Sequence, residues 1–160
     1  MKRTSFLLVW ALFFGCWNKS FAQPSSPPDL TAYFSAILVE DIQVSKQWYT
    51  EILGFDVVLE SQIAKGFTIL NLKRGNSALE LIQLPGALSP AEAIESYHSK
   101  TRIKGFFKVG FKVNDLEAWV EFLQKNEVQF NGGVVEDPVS GNPMVIILDP
   151  DGNRIQLFEE

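Results

Sequence analysis

Residues 149–157 read Asp-Pro-Asp-Gly-Asn-Arg-Ile-Gln-Leu, a turn followed by a segment of alternating apolar side chains. Asp and Asn beside Gly favour turns, because their short polar side chains hydrogen-bond to nearby backbone amides. This stretch therefore predicts a hairpin between strands over 144–148 and 154–159. A similar pattern lies 76 residues earlier, where residues 75–82 read Gly-Asn-Ser-Ala-Leu-Glu-Leu-Ile.

A second pair of motifs extends this repeat over most of the chain. Residues 39–42 (Val-Glu-Asp-Ile) match residues 113–116 (Val-Asn-Asp-Leu), and in each motif the Asp is a predicted helix N-cap. The predicted order is strand, helix and three strands over 31–84, and the same over 105–160. Two βαβββ modules in one α+β domain are the most economical interpretation.

The connector between the modules, residues 85–104, contains Ser-Pro-Ala-Glu at 89–92. This is a capping box with proline at the first helical position, so it predicts a short helix that extends to about His98. The connector is expected to act either as a lid or as a docked surface helix.

The first 22 residues have the pattern of a secretory signal peptide. Two basic residues precede an apolar run over 6–17, and the small residues Ser20 and Ala22 end the segment. The run is shorter than the roughly 20 residues that span a bilayer. The sequence thus predicts export to the periplasm or the medium, with a Pro- and Ser-rich linker over 23–30 and the domain over 31–160.

Cys16 gives an alternative. Residues 13–16 (Phe-Phe-Gly-Cys) are similar to a lipoprotein processing box, and lipidation there would produce a membrane-anchored lipoprotein. This cysteine is also the only one in the sequence. Cleavage after Ala22 would leave a chain with neither a disulfide nor a thiolate metal ligand.

The charge balance restricts the class of partner. The chain has 14 basic and 19 acidic residues, a formal net charge of −5. Removing the leader takes away three basic residues and leaves a net charge of −8. Nucleic acids and anionic membranes bind clustered Lys and Arg, so neither is an expected partner, except for a membrane if Cys16 is lipidated.

The motifs together resemble those of the vicinal oxygen chelate superfamily, the group of glyoxalase I, bleomycin-resistance proteins and extradiol dioxygenases. The matching residues are 39–41, Ser45, Trp48-Tyr49, 53–55, 113–115 and 149–157. The resemblance implies paired βαβββ modules whose sheets curl around a shared pocket, often within a homodimer.

The resemblance also implies where a site lies. Metalloenzymes of the family place one metal ligand on the first and the last strand of each module. The matching positions are Phe34 and Glu80 in the first module and Lys108 and Gln156 in the second. These four residues are the predicted ligand-binding pocket.

Strand alternation supports a pocket position for the three polar residues among them. Each has apolar neighbours on both sides, and successive side chains of a strand point to opposite faces. The neighbours are Leu79, Leu81, Phe107, Val109, Ile155 and Leu157. Glu80, Lys108 and Gln156 are therefore predicted to face away from the core.

The donor set argues against a metal. Phe34 has no donor atom, Lys108 is a cation, and Gln156 supplies only a neutral oxygen. No cofactor is expected, and a divalent metal is disfavoured. Glu80 and Lys108 are expected to form an ion pair in place of the metal, with an acid–base pair as the alternative. His98, on the predicted connector helix, is interpreted as a surface residue.

Three functions follow as hypotheses. The first is an exported protein that binds a small organic molecule without a metal. The second is an enzyme of lyase, isomerase or dioxygenase type with a diverged metal or acid–base site. The third is an interaction module whose pocket has collapsed.

Overall fold

The computed structural model describes residues 32–96, 98 and 105–160. The predicted leader over 1–22, the linker over 23–30 and part of the connector lie outside the described residues. The elements in chain order are β1 (Ser35–Leu38), α1 (Ile42–Glu51), β2 (Asp56–Ala64), β3 (Phe67–Arg74), β4 (Ser77–Gln83), α2 (Pro90–Ala93), β5 (Val109–Val113), α3 (Leu116–Lys125), β6 (Val135–Glu136), β7 (Pro143–Leu148) and β8 (Arg154–Glu159).

The strands form two sheets of the same topology. The first has the order β1-β4-β3-β2 and the second the order β5-β8-β7-β6. The first strand of each module runs parallel to the last one, β1 to β4 and β5 to β8, and the other neighbours are antiparallel. The predicted α+β fold with two βαβββ modules is confirmed.

The two long helices begin where the repeated motif predicts. The Asp41 carboxylate accepts hydrogen bonds from the amides of Gln43 and Val44 at 2.8 and 3.2 Å. The Asp115 carboxylate accepts one from the amide of Ala118 at 2.9 Å. These bonds satisfy donors that have no partner within the helix, so the same Asp fixes the start of each helix.

Each sheet buries one face beneath a helix. Leu81 on β4, Ile155 on β8 and Leu123 on α3 are fully buried, and all three belong to one core cluster that includes both modules. Alternation leaves the other side of each sheet facing away from this cluster. We call that side the open face. Within the described ranges, no helix is long and apolar enough to cross a membrane.

Two predicted boundaries are wrong. The capping box of α2 is present, but the helix ends at Ala93 rather than near His98. No residue of α2 is buried, so packing does not extend it beyond its first turn. The alternating apolar residues over 106–113 also predict a strand along this whole stretch, but the strand begins at Val109, which pairs with Ile155. Because β8 begins at Arg154, the residues before Val109 have almost no neighbouring strand to pair with.

Candidate functional site

The pocket positions on the inner strands occupy equivalent places on the two open faces. The register pairs Glu80 with Ala36 on β1 and Gln156 with Gly110 on β5. Ala36 and Gly110 each lie two residues after the first-strand position of their module. Both inner-strand residues therefore have a small neighbour on the first strand.

Phe34 and Lys108 lie just before their strands and are exposed to solvent. Phe34 has 49% of its surface accessible, and its ring is in edge contact with Tyr33 at 5.2 Å between centroids. The pKa of the Asp137 carboxyl is held below its usual range, mainly by a hydrogen bond from the Ser140 amide, and the Lys108 ammonium adds a smaller lowering. Lys108 thus interacts electrostatically with the loop after β6.

Gln156 differs from the other three because only 1% of its surface is exposed. Its Nε2 contacts the sulfur of Met144, and its Oε1 has no hydrogen-bond partner among the described residues. The ring of Phe158 covers the neighbouring Gly110, with Cε2 2.9 Å from where a Cβ would lie. An unpartnered buried amide oxygen is unfavourable, so this position has an unused capacity to accept a hydrogen bond.

The prediction of an ion pair between Glu80 and Lys108 is wrong. Among residues 32–96, 98 and 105–160, the pairs within 4.0 Å are Lys46–Glu60 at 2.7 Å and Lys112–Glu160 at 3.9 Å. Glu80 is on an inner strand of the first sheet, whereas Lys108 precedes an edge strand of the second. The pocket role of the four residues stays a prediction.

The donor set does not fit a metal. Only one of the four positions, Glu80, has a carboxylate, and Phe34 has no donor atom. In the part of the chain that the structure describes, no three His, Cys, Asp or Glu side chains come together as a group able to hold an ion. His98 is exposed, as the sequence predicts for a surface residue.

The strongest sequence motif has a role that the sequence reasoning missed: it joins the two modules. Asp149 in the turn before β8 accepts a hydrogen bond from the hydroxyl of Tyr49 on α1 at 2.9 Å. The same carboxylate accepts from both nitrogens of Asn153 at 2.8 and 2.9 Å, and from the amide of Asp151 at 3.0 Å. The carboxylate of Asp151 accepts from the hydroxyl of Ser45 at 3.2 Å. We call these five residues the carboxylate clamp.

Burial governs the protonation of this clamp. It raises the pKa of the Asp149 carboxyl above its usual range, while the hydrogen bonds from Asn153 and Tyr49 act in the opposite direction. Burial, together with the charge of Asp149, raises the pKa of the Tyr49 hydroxyl far above its ordinary value. Tyr49 therefore remains a proton donor at any physiological pH.

A second contact joins the hairpin of the first module to the helix of the second, and it is a cation–π contact. The Arg74 guanidinium, at the end of β3, lies over the Trp119 ring on α3 at 5.3 Å, and its Nη1 donates to the carbonyl oxygen of Leu53. Trp119 occupies the place in the second module that Ser45 occupies in the first. The hairpin before each module's last strand thus contacts the other module's helix.

The sequence did contain a sign of these contacts. Ser45 and Tyr49 carry hydroxyl groups, but their spacing of three and seven residues from Ile42 places them on the same side of α1 as that apolar residue, and both have 0% exposure. Buried hydroxyl groups need partners, which the acidic turn at 149–153 could supply. The contact of Arg74 with Trp119 has no such sign, because an arginine at a hairpin is usually a solvated residue.

Comparisons with known proteins agree with this architecture. The model of the Glyoxalase/Bleomycin resistance protein/Dioxygenase superfamily matches residues 31–157. The uncharacterised protein YaeR of Escherichia coli (strain K12) is 30% identical over 132 residues, which cover 78% of this chain and 92% of that protein.

Solved structures share the fold. A glyoxalase family protein from Enterococcus faecalis is 27% identical with a TM-score of 0.69, covering 81% of this chain and 97% of that one. The trypanothione-dependent glyoxalase I of Leishmania major is 26% identical with a TM-score of 0.60, covering 82% and 88% of the two chains. With its paired modules and a family match over most of its length, this chain belongs to the Glyoxalase/Bleomycin resistance protein/Dioxygenase superfamily.

Proposed function

We propose that this protein binds a small organic molecule at the open faces of its sheets and does so without a metal. The observation that carries the proposal is the residue set at the four equivalent positions. Phe34, Lys108 and Gln156 stand where the resemblance implies metal ligands, and Glu80 alone is a carboxylate. Such a set favours hydrogen bonding and apolar contact over metal coordination.

The chemistry of these positions restricts the ligand. The unpartnered Oε1 of Gln156 requires an N–H or O–H donor, and the carboxylate of Glu80 accepts one as well. The exposed ring of Phe34 favours an apolar part. The proposed ligand is therefore a partly apolar molecule with at least one hydrogen-bond donor.

A homodimer is part of this proposal. On the first open face, Leu59 lies in register with Asn71, which is itself opposite Glu80. Leu59 and Leu38 are 54% and 53% exposed and form an apolar surface that a second copy would cover. Light scattering should give the mass of a dimer, and the variant with Leu38→Lys and Leu59→Lys should be a monomer. Val44→Lys, at an exposed apolar position of α1, is the control, and a monomeric parent protein would contradict the dimer.

Export is proposed from the leader, and the mass of the mature protein tests it. A chain starting at Gln23 would support cleavage after Ala22, and a lipid-modified Cys16 would support the lipoprotein route. An unprocessed chain starting at Met1 would contradict both.

The enzymatic alternative is supported by the similarity to a glyoxalase I structure and by the retained Glu80. Native mass spectrometry and metal analysis of gently purified protein separate it from the binding function. We expect a retained organic molecule that is lost in Gln156→Met, a change of similar volume, and retained in Gln124→Met on the exposed side of α3. A stoichiometric amount of zinc, nickel, iron or manganese in the purified protein would overturn the metal-independent proposal.

A further inference from the structure

A cavity of about 430 Å³ lies between the two modules, away from the four positions of the proposed pocket. Its lining includes Phe55, Arg74 and Ser77 from the first module and Phe111, Lys112 and Trp119 from the second. This volume is within the range of sites that hold small molecules, and such sites are frequent where two units meet.

Aromatic rings form the walls of this cavity. Phe55 and Phe111 are in edge contact across the module boundary, with centroids 5.7 Å apart. Phe55 is 4% exposed and Phe111 is half-buried, so both hold fixed positions. Trp119 supplies a third ring. A planar aromatic ligand can make edge and face contacts with such walls.

Arg74 supplies the polar contact. The guanidinium has five N–H donors, and the one bond it makes within the described residues is to the Leu53 carbonyl. In that part of the chain no carboxylate lies within 4.0 Å of it. The side chain remains exposed, so a planar anion can reach its free edge and form two parallel hydrogen bonds.

The other charged groups at the cavity already have partners within the chain, so Arg74 is the group that can pair with an anion. Lys112 and Glu160 are exposed and lie 3.9 Å apart, so the Lys112 ammonium has a carboxylate of this chain beside it. The Asp115 carboxylate accepts a hydrogen bond from the amide of Ala118 at the start of α3.

We propose that the cavity between the modules is a second ligand site and that it binds a planar aromatic carboxylate. The ring of this ligand lies against Phe55, Phe111 and Trp119, and its carboxylate pairs with Arg74.

The probe for this site is 2-naphthoate, with the neutral 2-naphthamide as its matched partner, titrated by calorimetry into the folded protein. We expect saturable binding of 2-naphthoate that is tighter than that of 2-naphthamide by a factor of about ten or more. Arg74→Met should remove this preference for the anion, since it removes the charge but keeps much of the volume. Lys73→Met, at the neighbouring exposed cation, should keep it.

Two further variants keep the test decisive if Arg74→Met unfolds. Ser77→Met places a larger side chain into the cavity and should weaken the binding of both probes. Gln156→Met, at the open face, should leave both unchanged, so the second site can fail or succeed independently of the proposed function. Absence of binding to the folded parent protein, loss of binding in Gln156→Met, or an unaltered preference in Arg74→Met would each overturn the proposal.

Discussion

Asp149 is a buried carboxylate that is stabilised by the four hydrogen bonds it accepts. Tyr49, Asn153 and Asp151 donate them, and Tyr49 comes from the other module. A buried charge without such donors would be strongly unfavourable. The residue thus connects the local turn before β8 with the packing of α1, and its environment leads to two predictions.

The first concerns the hydroxyl of Tyr49. Tyr49→Phe leaves the ring in the core but removes one donor from Asp149, and we expect the free energy of unfolding to fall by about 1.5–3 kcal/mol at neutral pH. Urea denaturation measures it. Tyr33→Phe is the control, because Tyr33 is 81% exposed, and it should change stability by less than about 0.5 kcal/mol. Equal effects in the two variants would contradict a role for the clamp.

The second concerns pH. Burial raises the pKa of Asp149 above its ordinary value of 3.8, so the folded protein takes up the proton at a higher pH than the unfolded chain. Its contribution to stability is present below the unfolded pKa and is lost as the pH rises through the folded pKa. The difference in free energy of unfolding between the parent protein and Asp149→Asn should therefore decrease as the pH is raised from 4 to 7. An increase would mean that the hydrogen bonds outweigh burial.

Among the elements, the pair β5 and β8 depends on a glycine. A Cβ at Gly110 would lie 2.9 Å from Cε2 of Phe158, closer than carbon atoms pack. Gly110→Ala should displace the ring and lower the free energy of unfolding by about 1–3 kcal/mol. Gly133→Ala is the matched control, because nothing lies within 4 Å of its added Cβ. Chemical denaturation of the two variants compares them, and similar effects would exclude the contact with Phe158.

The sequence predicted the elements well where local chemistry decides them. Asp41 and Asp115 cap their helices as expected, and the hairpin between β7 and β8 forms at the predicted turn. The end of α2 and the start of β5 were missed because they depend on what packs beside them, which no local pattern contains.

The site was less predictable for the same reason. Alternation predicts that Gln156 faces away from Ile155 and Leu157, but its burial and its contact with Met144 depend on the register between strands. The pairing of Glu80 with Lys108 was expected because the resemblance implies that the ligand strands of both modules contribute to one site. Equivalence within each module does not bring two residues of different sheets together.

At the scale of the whole molecule, one core cluster and two reciprocal contacts hold the modules together. Fragments 32–84 and 105–160 should therefore each lack a cooperative unfolding transition when expressed alone. Circular dichroism during urea denaturation tests this, with the intact chain as the control. A cooperative transition in either fragment would show that its module is stable without the other.

The reciprocal contacts also set a rule for recombination between relatives. The turn at 149–153 fits the face of α1 that bears Ser45 and Tyr49, so a half taken from another protein brings only one side of that contact. A viable chimera must carry the matching helix positions together with the turn, although the contacting residues are 100 and 106 positions apart in the chain. The helix and the turn that it contacts must therefore be exchanged together, although they belong to different modules.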